Sequence, residues 1–594
     1  MLTPDSRDSG VTKFNNLIEA LDAAPEDRPF VTYWIDEDEQ QSVTFAEFRQ
    51  RARMQASTLH DHGVSVGDRV IVIMPQGIPA MTAFVGVMML GAVPAFLAYP
   101  NFKIEPSKYR SGLSGVTANL NAKTVIIHDE FPQELLDYVT LSGPAQLLRC
   151  KDLDPSDLGA IERNIHISSL KNSSDSLAFI QHSAGTTGLQ KGIALTHGAV
   201  LRHIQHLAQA LKIAEATDSI YSWLPLYHDM GLIACFMLPL VCHLPIVMQS
   251  PVDWVMQPES MLQIITEHKC TLAWMPNFAF QFVPRRTRQD RWAQYNLSSL
   301  RALINCSEPV RSSSMQEFQA AFASIGLSKH ALQSSYAMAE NVFAVTQSDV
   351  SRSSGPVRLW ADGRQFRSRH SIARVAESAA GALSFTSSGR LLPSCELRIL
   401  SNTGEILDDG NVGEILIKSD SLFAGYYNRP SLTAKTIIDG WYHTGDLGFC
   451  LEDELFVGGR KKDLLIVGGE NLHPQDIEEL VGSHPAVRDG RVVAMGVYNP
   501  DLGTDEIVVG AEVEREVLLE NTEEIEREVR NLVVAGIGVA VRKIFLKPPK
   551  WIVKSTAGKP SRSATRAKLL REHPELDRQP DLEPNLPAGE SEFS

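Results

Sequence analysis

Short runs of branched aliphatic residues recur along the N-terminal third of the chain, with stretches between them long enough for a helix. No other feature constrains the fold as much. DRVIVIM (68–74), KTVIIH (123–128) and SLAFIQ (176–181) are examples. Runs this short read as strands buried on both faces, and their alternation with helical patterns predicts an α/β fold of largely parallel sheets covered by helices. A chain of 594 residues is too long for one core, so at least two domains are expected.

From about residue 381 to 458 the texture changes to short strands and turns, as in CELRILSNTGEILDDGNVGEILIKS, which predicts a β-rich subdomain within an N-terminal domain of residues 1–459. Residues 460–573 follow as a small α+β domain, with helices at PQDIEELVG and NTEEIEREVRNLVV and strands at RVVAMGV, EIVVGAEV and VRKIFL. The tail, 574–594, is acidic, contains proline and has almost no apolar anchors, so disorder is expected there. Residues 349–377 are rich in Ser and Arg and read as an inserted surface segment.

The composition excludes several functions. A hydrophobic fraction of 43% with 21% charged residues is that of a globular protein, and a net charge of −15 without a basic run argues against nucleic-acid binding. The start, MLTPDSRDSG, has no cationic or apolar signal segment, and the 7 cysteines form no CxxC pair. A cytoplasmic protein with free thiols is expected. The uncharged stretch 78–99 is long enough to span a bilayer, but Pro79, Gly86, Gly91 and Pro94 favour a buried helix, a turn at Gly91 and a buried strand. Membrane contact is therefore at most peripheral. His203 with His206, and Cys235 with Cys242, lack two further ligands at plausible spacing for zinc.

HSAGTTGLQKG (182–192) gathers small hydroxyls, glycines and a lysine. Glycines let the backbone approach a ligand, and successive turn amides can cradle an anion. Ser183, Gly185, Thr186, Thr187, Gly188 and Lys191 form the candidate cradle. The glycine spacing does not fit the Walker A loop, and a plain strand-to-helix connection is the alternative.

The motif is followed in order by SYAMAE (335–340), WYHTGDLG (441–448), GRKKDLLIVGGENLHPQDIE (459–478) and STAGKPSR (555–562). This ordered set resembles the adenylate-forming superfamily of acyl-CoA synthetases, peptide-synthetase adenylation domains and luciferases. Within it, WLPLYHDMGLI (223–233), NCSEPVR and the PQDIE ending resemble the fatty acyl-AMP ligases. The resemblance implies ATP-dependent conversion of a fatty acid to acyl-AMP, then transfer to the phosphopantetheine thiol of an acyl carrier protein. Transfer to CoA, as in the acyl-CoA synthetases, is the alternative, and a non-catalytic sensor of nucleotide or acid is a more distant one.

By the same resemblance the 182–192 motif holds the ATP phosphates, Tyr336 stacks on adenine with Ala337 beside it, and Ser307 and Glu308 line the other side of the base. Asp446 and Arg460 hold the ribose, and Glu340 with Thr187 holds Mg²⁺. Lys559 reaches the substrate carboxylate and α-phosphate from the C-terminal domain, which swings about Asp463. His228 is a catalytic candidate. It also joins Trp223, Met230, Trp274, Met275, Phe278 and Phe280 as the expected acyl pocket, although core packing explains each of these equally well. This copy departs from the usual pattern at Ala184, at Leu189-Gln190 and at Cys306-Ser307. The long connector after Glu340 matches an insertion that fatty acyl-AMP ligases carry, with its arginines, Trp360 and Phe366 expected to restrain the C-terminal domain and disfavour CoA.

Overall fold

Two of the three apolar runs are neighbours in one sheet. In the computed structural model, Arg69–Ile73 and Thr124–Ile127 pair parallel within a four-stranded sheet ordered Val93–Phe96, Arg69–Ile73, Thr124–Ile127, Gln146–Arg149. The structure describes residues 13–100, 106–141, 146–153, 172–182, 190–352, 355–467, 470–499, 504–519, 522–554 and 560–576. They divide into two compact units, one of residues 13–461 with 554 and the other of 462–553 with 560–576.

In the first unit the uncharged stretch forms the helix Ile78–Met89, a left-handed turn at Gly91 (φ 68°) and the strand Val93–Phe96, as its glycines and prolines predicted. No helix among the described residues is long and apolar enough to cross a membrane. Gly86 lets this helix lie close against Phe45–Asp61, since a Cβ there would meet the Ala52 carbonyl at 2.8 Å.

A second sheet has nine strands. Its centre, from Leu332–Ala337 through Ala302–Asn305, Leu272–Met275, Ile220–Ser222 and Ile246–Met248 to Pro29–Trp34, is parallel throughout. Gln40–Thr44 at one end, and Ala344–Gln347 with Arg390–Leu391 at the other, are antiparallel. The third apolar run departs from expectation. Leu177–His182 pairs antiparallel with Gly192–Thr196, which in turn pairs with Gly425–Tyr426. The glycine-rich motif therefore joins two strands of a hairpin, and the helix His197–Ala210 begins only after the second strand.

The β-rich region is an antiparallel sheet of Glu396–Leu400, Gly413–Lys418, Trp441–Leu451 and Ile437–Ile438, with Glu454–Arg460 paired to Trp441–Leu451. Because Arg460 lies opposite Asp446 in this ladder, the first unit runs through Lys461 and does not end at 459.

The 349–377 segment is no plain surface loop. Arg358–Asp362 pairs with Ala382–Thr386, the helix Gly363–Arg369 follows, and Leu359 and Ala361 are buried with Phe449 and Phe456. Phe366 is 4% exposed and its ring lies 5.0 Å from that of Phe385. Arg352 pairs with the buried Glu454 at 3.1 Å and Arg374 with Glu452 at 2.9 Å. Phe366 and these two arginines are thus engaged inside the first unit. Removing the segment would strip part of this core.

In the second unit, Val487–Asn499 pairs antiparallel with Thr504–Val513, and Val541–Lys547 pairs parallel with the latter. Alternation along the first strand divides its faces. Val492 and Ala494 pack with the helices Pro474–Gly482 and Thr522–Ile537, whereas Val493, Met495 and Val497 pack with Leu569 of Arg562–Glu572. Leu576, 3% exposed, joins the second cluster, so 574–576 belongs to the fold and not to the tail.

Candidate active site

Two polar clusters in the first unit gather most of the described residues for which the motifs suggested nucleotide contacts. One starts at the end of Leu332–Ala337, where Tyr336 is buried and donates its hydroxyl to Asp446 Oδ2 at 2.6 Å. Asp446 stands on Trp441–Leu451 opposite Arg460, whose Nε lies 3.3 Å from Oδ1. Burial, with the Asp446 charge added, holds the Tyr336 hydroxyl far above its ordinary pKa, so it acts as a donor. Ala337 ends the strand at a bulge.

The second cluster is built on a strained turn. Glu340 lies in the short turn Ala339–Asn341. Val342 follows with φ 63° and ψ −57°, and the Phe343 N–H donates to the Asn341 carbonyl at 2.7 Å, a γ-turn that β-branched residues rarely adopt. Such a conformation costs about 1–3 kcal/mol and persists only where its surroundings impose it.

Those surroundings include the 423–427 stretch. The Phe423 N–H donates to the Glu340 carbonyl at 2.9 Å and the Tyr427 N–H to the Gly192 carbonyl at 2.7 Å. Between them, the Tyr426 hydroxyl donates to Glu340 Oε1 at 2.8 Å, and Lys191 Nζ lies 4.6 Å above the Tyr426 ring. Tyr442 links the two clusters. Its hydroxyl is 3.2 Å from that of Tyr426, and it stands on the strand that carries Asp446. Sequence reasoning assigns Tyr426 and Tyr442 no role, although the adjacent tyrosines of FAGYYN and the Tyr of WYHTGD are both visible in it.

The donor set fits Mg²⁺. Among the described residues no three His, Cys, Asp or Glu side chains converge. A lone carboxylate is what an ion needs that keeps its waters and takes its other ligands from phosphate oxygens. His203 is a core residue, accepting the Ala344 N–H at 3.1 Å, and burial lowers its pKa to about 3. Cys235 is buried and burial pushes its thiol up to about 12.

The expected acyl-pocket residues separate. Trp223 stacks on Trp254, with ring centroids 3.6 Å apart and planes within 2°. Phe278 meets both edge-on, at 6.3 and 6.2 Å. Trp254, on Pro251–Met256, is a member that the sequence pattern does not suggest. Phe280 belongs elsewhere, because on the helix Asn277–Arg286 it points away from Phe278 and packs 5.3 Å from Phe318. Trp274 and Met275 are adjacent on one strand, so they face opposite sides of the sheet and cannot both line one pocket.

The aromatic cluster adjoins the 305–310 segment. Glu308 Oε2 accepts the Phe278 N–H at 2.9 Å, a helix-capping contact. Ser307, at φ 70°, donates to Met230 Sδ at 3.9 Å. His228 Nδ1 lies 2.7 Å from Asp229 Oδ1 and accepts the Met230 N–H at 3.3 Å. The π-helix Met230–Met237 follows, a distortion common at functional sites. Its second residue has no room for a side chain, since a Cβ on Gly231 would sit 2.2 Å from the Pro225 carbonyl oxygen. Gly231→Ala should therefore displace His228 and Met230. We expect acid-dependent activity to fall about tenfold or more, with a lowered melting temperature, as for other backbone collisions. Thermal melts paired with exchange assays check this.

In the second unit, Asp463 Oδ2 accepts from Arg562 Nη1 at 2.9 Å, while Arg562 Nη2 donates to Glu478 at 2.7 Å and Nε to the Ala494 carbonyl at 3.0 Å. Arg562 closes the STAGKPSR motif, whose pattern alone assigns it no role. Ser183, Gly185, Thr186, Thr187, Gly188 and Lys559 lie outside the described residues.

Known proteins resemble this chain over nearly its whole length. The AMP-binding enzyme family matches residues 18–427. The medium-chain-fatty-acid–[acyl-carrier-protein] ligase JamA of Moorena producens is 30% identical, covering 90% of this chain and 91% of that protein. The 4-hydroxyphenylalkanoate adenylyltransferase of Mycobacterium tuberculosis is 29% identical over 91% of this chain and 87% of its own. In fold, a chain from a study of fatty acyl-adenylate ligases of E. coli and L. pneumophila superposes with a TM-score of 0.86, at 24% identity, over 95% of this chain and 99% of that one.

Proposed function

The chain belongs to the AMP-binding enzyme family, and from that premise we propose that it is an ATP-dependent fatty acyl-AMP ligase that hands its acyl group to a carrier protein. The acid is a fatty acid or another medium- or long-chain carboxylic acid. Its carboxylate oxygen bonds to the α-phosphorus of ATP and the bond to pyrophosphate breaks. The phosphopantetheine sulfur of the carrier protein then bonds to the acyl carbon, the bond from that carbon to AMP breaks, and the thiol proton is lost. The observation that carries this reading is the union of Lys191, Tyr426 and Glu340 in a protein of this family.

A carboxylate is already a nucleophile at neutral pH, so the first step calls for positioning and charge compensation more than for a base. In this reading Lys191 and the glycine-rich cradle hold the phosphates, while Asp446, with Tyr336 and Arg460 fixing its two oxygens, accepts from the ribose hydroxyls. Glu340 supplies the carboxylate that holds Mg²⁺, with Thr187 beside it, and the bound ion offsets charge on the phosphate oxygens. His228 and the Trp223–Trp254–Phe278 wall take the acid, and Lys559 serves the α-phosphate. Asp463 is the hinge.

Support for a carrier protein as acceptor comes from JamA, itself an acyl-carrier-protein ligase. The test is direct. Enzyme, ATP and Mg²⁺ are incubated with octanoate, dodecanoate or hexadecanoate and either a holo carrier protein or CoA. Acylated carrier protein with little acyl-CoA is the expected result, and efficient acyl-CoA release with no carrier loading would overturn it.

A further inference from the structure

The directions of the hydrogen bonds around Glu340 are fixed by chemistry. A carboxylate only accepts, so the Tyr426 hydroxyl at 2.8 Å must donate to Oε1. Having given its one proton, Tyr426 can only accept from the Tyr442 hydroxyl 3.2 Å away. A chain thus runs from Tyr442 to Tyr426 to Glu340. Burial, with the Glu340 charge added, keeps both phenols well above their ordinary pKa, so neither proton is lost at neutral pH.

The Tyr426 ring meanwhile faces Lys191 at 4.6 Å, where the π-face attracts the ammonium. The backbone around it is pinned on both sides. Gly425–Tyr426 pairs with Gly192–Thr196, the strand entered from Lys191, and the Tyr426 N–H donates to Thr433 Oγ1 at 2.9 Å. One side chain therefore touches both a cation and a carboxylate assigned to the ATP phosphates and their metal ion.

We propose that Tyr426 is a positioning residue for ATP–Mg²⁺, its hydroxyl orienting Glu340 for the metal while its ring holds Lys191 for the phosphates, with Tyr442 as the donor behind it. This rests on the reading of Glu340 as the metal carboxylate. By holding Oε1, Tyr426 leaves Oε2 as the oxygen for the ion and fixes the plane of the group. Groups that orient a metal ligand from behind typically change metal affinity by about 10- to 100-fold when removed.

The test uses the full chain as wild type, Tyr426→Phe, Tyr442→Phe, Glu340→Gln and the Tyr426→Phe/Glu340→Gln double variant. Two quantities are read: the half-saturating Mg²⁺ for pyrophosphate exchange, and the binding of Mn²⁺ in the presence of ATP by electron paramagnetic resonance. Tyr426→Phe keeps the ring and should raise both metal constants about tenfold, with a melting temperature close to wild type. Tyr442→Phe should have a smaller effect in the same direction. The double variant should match Glu340→Gln alone, because Tyr426 acts through that carboxylate. If Glu340→Gln shifts the metal constants while Tyr426→Phe leaves them within twofold, the positioning role is wrong and the metal reading stands. Effects of the two that simply multiply would also overturn it. Unchanged metal constants in Glu340→Gln would overturn the metal reading and the positioning role with it. Should Tyr426→Phe lose its fold, the metal constants of Tyr442→Phe decide, and no shift there counts against the chain.

Discussion

Lys191→Ala should slow acyl-adenylate formation by about two orders of magnitude while the protein stays folded, as expected when a fixed charge at a developing anion is removed. The lysine is half-buried at the entry to Gly192–Thr196, with its ammonium over the Tyr426 ring. A half-buried cation–π contact contributes only about 1 kcal/mol, so its loss should lower the melting temperature slightly. The larger effect falls on the reaction, where pyrophosphate leaves and negative charge must be held. Lys191→Arg should restore little, because a planar guanidinium does not occupy the place of a compact ammonium above a ring. Pyrophosphate exchange at saturating ATP, with a thermal melt for each variant, reads both quantities. A rate within a few-fold of wild type for the alanine variant would remove Lys191 from the phosphate site.

Asp446→Asn should raise the KM for ATP by roughly ten- to a hundredfold, the scale of losing one or two hydrogen bonds to a charged group. Its two oxygens take Tyr336 at 2.6 Å and Arg460 at 3.3 Å. The arginine side chain is 58% exposed, so that ion pair contributes about 1 kcal/mol or less and its loss is minor. The buried Tyr336 donor matters more, since it then faces an amide that accepts less strongly. Tyr336→Phe should give part of the same rise, and the double variant should fall short of the product of the two. Nucleotide titrations by calorimetry separate this from a change in turnover. An unchanged ATP affinity in Asp446→Asn would assign the trio to the fold alone.

Much of this site is legible in the sequence. The order of the motifs points to Lys191, Glu340, Tyr336, Asp446 and Arg460, and the fold brings Tyr336, Asp446 and Arg460 into one cluster and Lys191 and Glu340 into another, with Tyr442 between. The rest is hidden for physical reasons. Tyr426 comes to Glu340 through strand pairing with Gly192–Thr196, a contact between residues far apart in the chain that no local pattern encodes. SLAFIQ reads as a parallel strand because burial on both faces produces the same apolar run in either sheet type, and only its partner distinguishes them. The 349–377 segment is rich in Ser and Arg, yet Leu359 and Ala361 pack it onto Phe449 and Phe456, and Phe366 packs on Phe385. Aromatics in a helix carry no label for the neighbour they meet, so Phe278 and Phe280 read as equivalent although they lie on different faces.

The central claim is that the chain joins a carboxylic acid to AMP. Exchange of labelled pyrophosphate into ATP, measured across medium- and long-chain acids with Mg²⁺ present, tests it most directly because it reads the first step without any acceptor. Strong exchange with at least one acid, absent without acid and lost in Lys191→Ala, is the predicted result. Tight ATP binding with no acid-dependent exchange across the whole panel would contradict it.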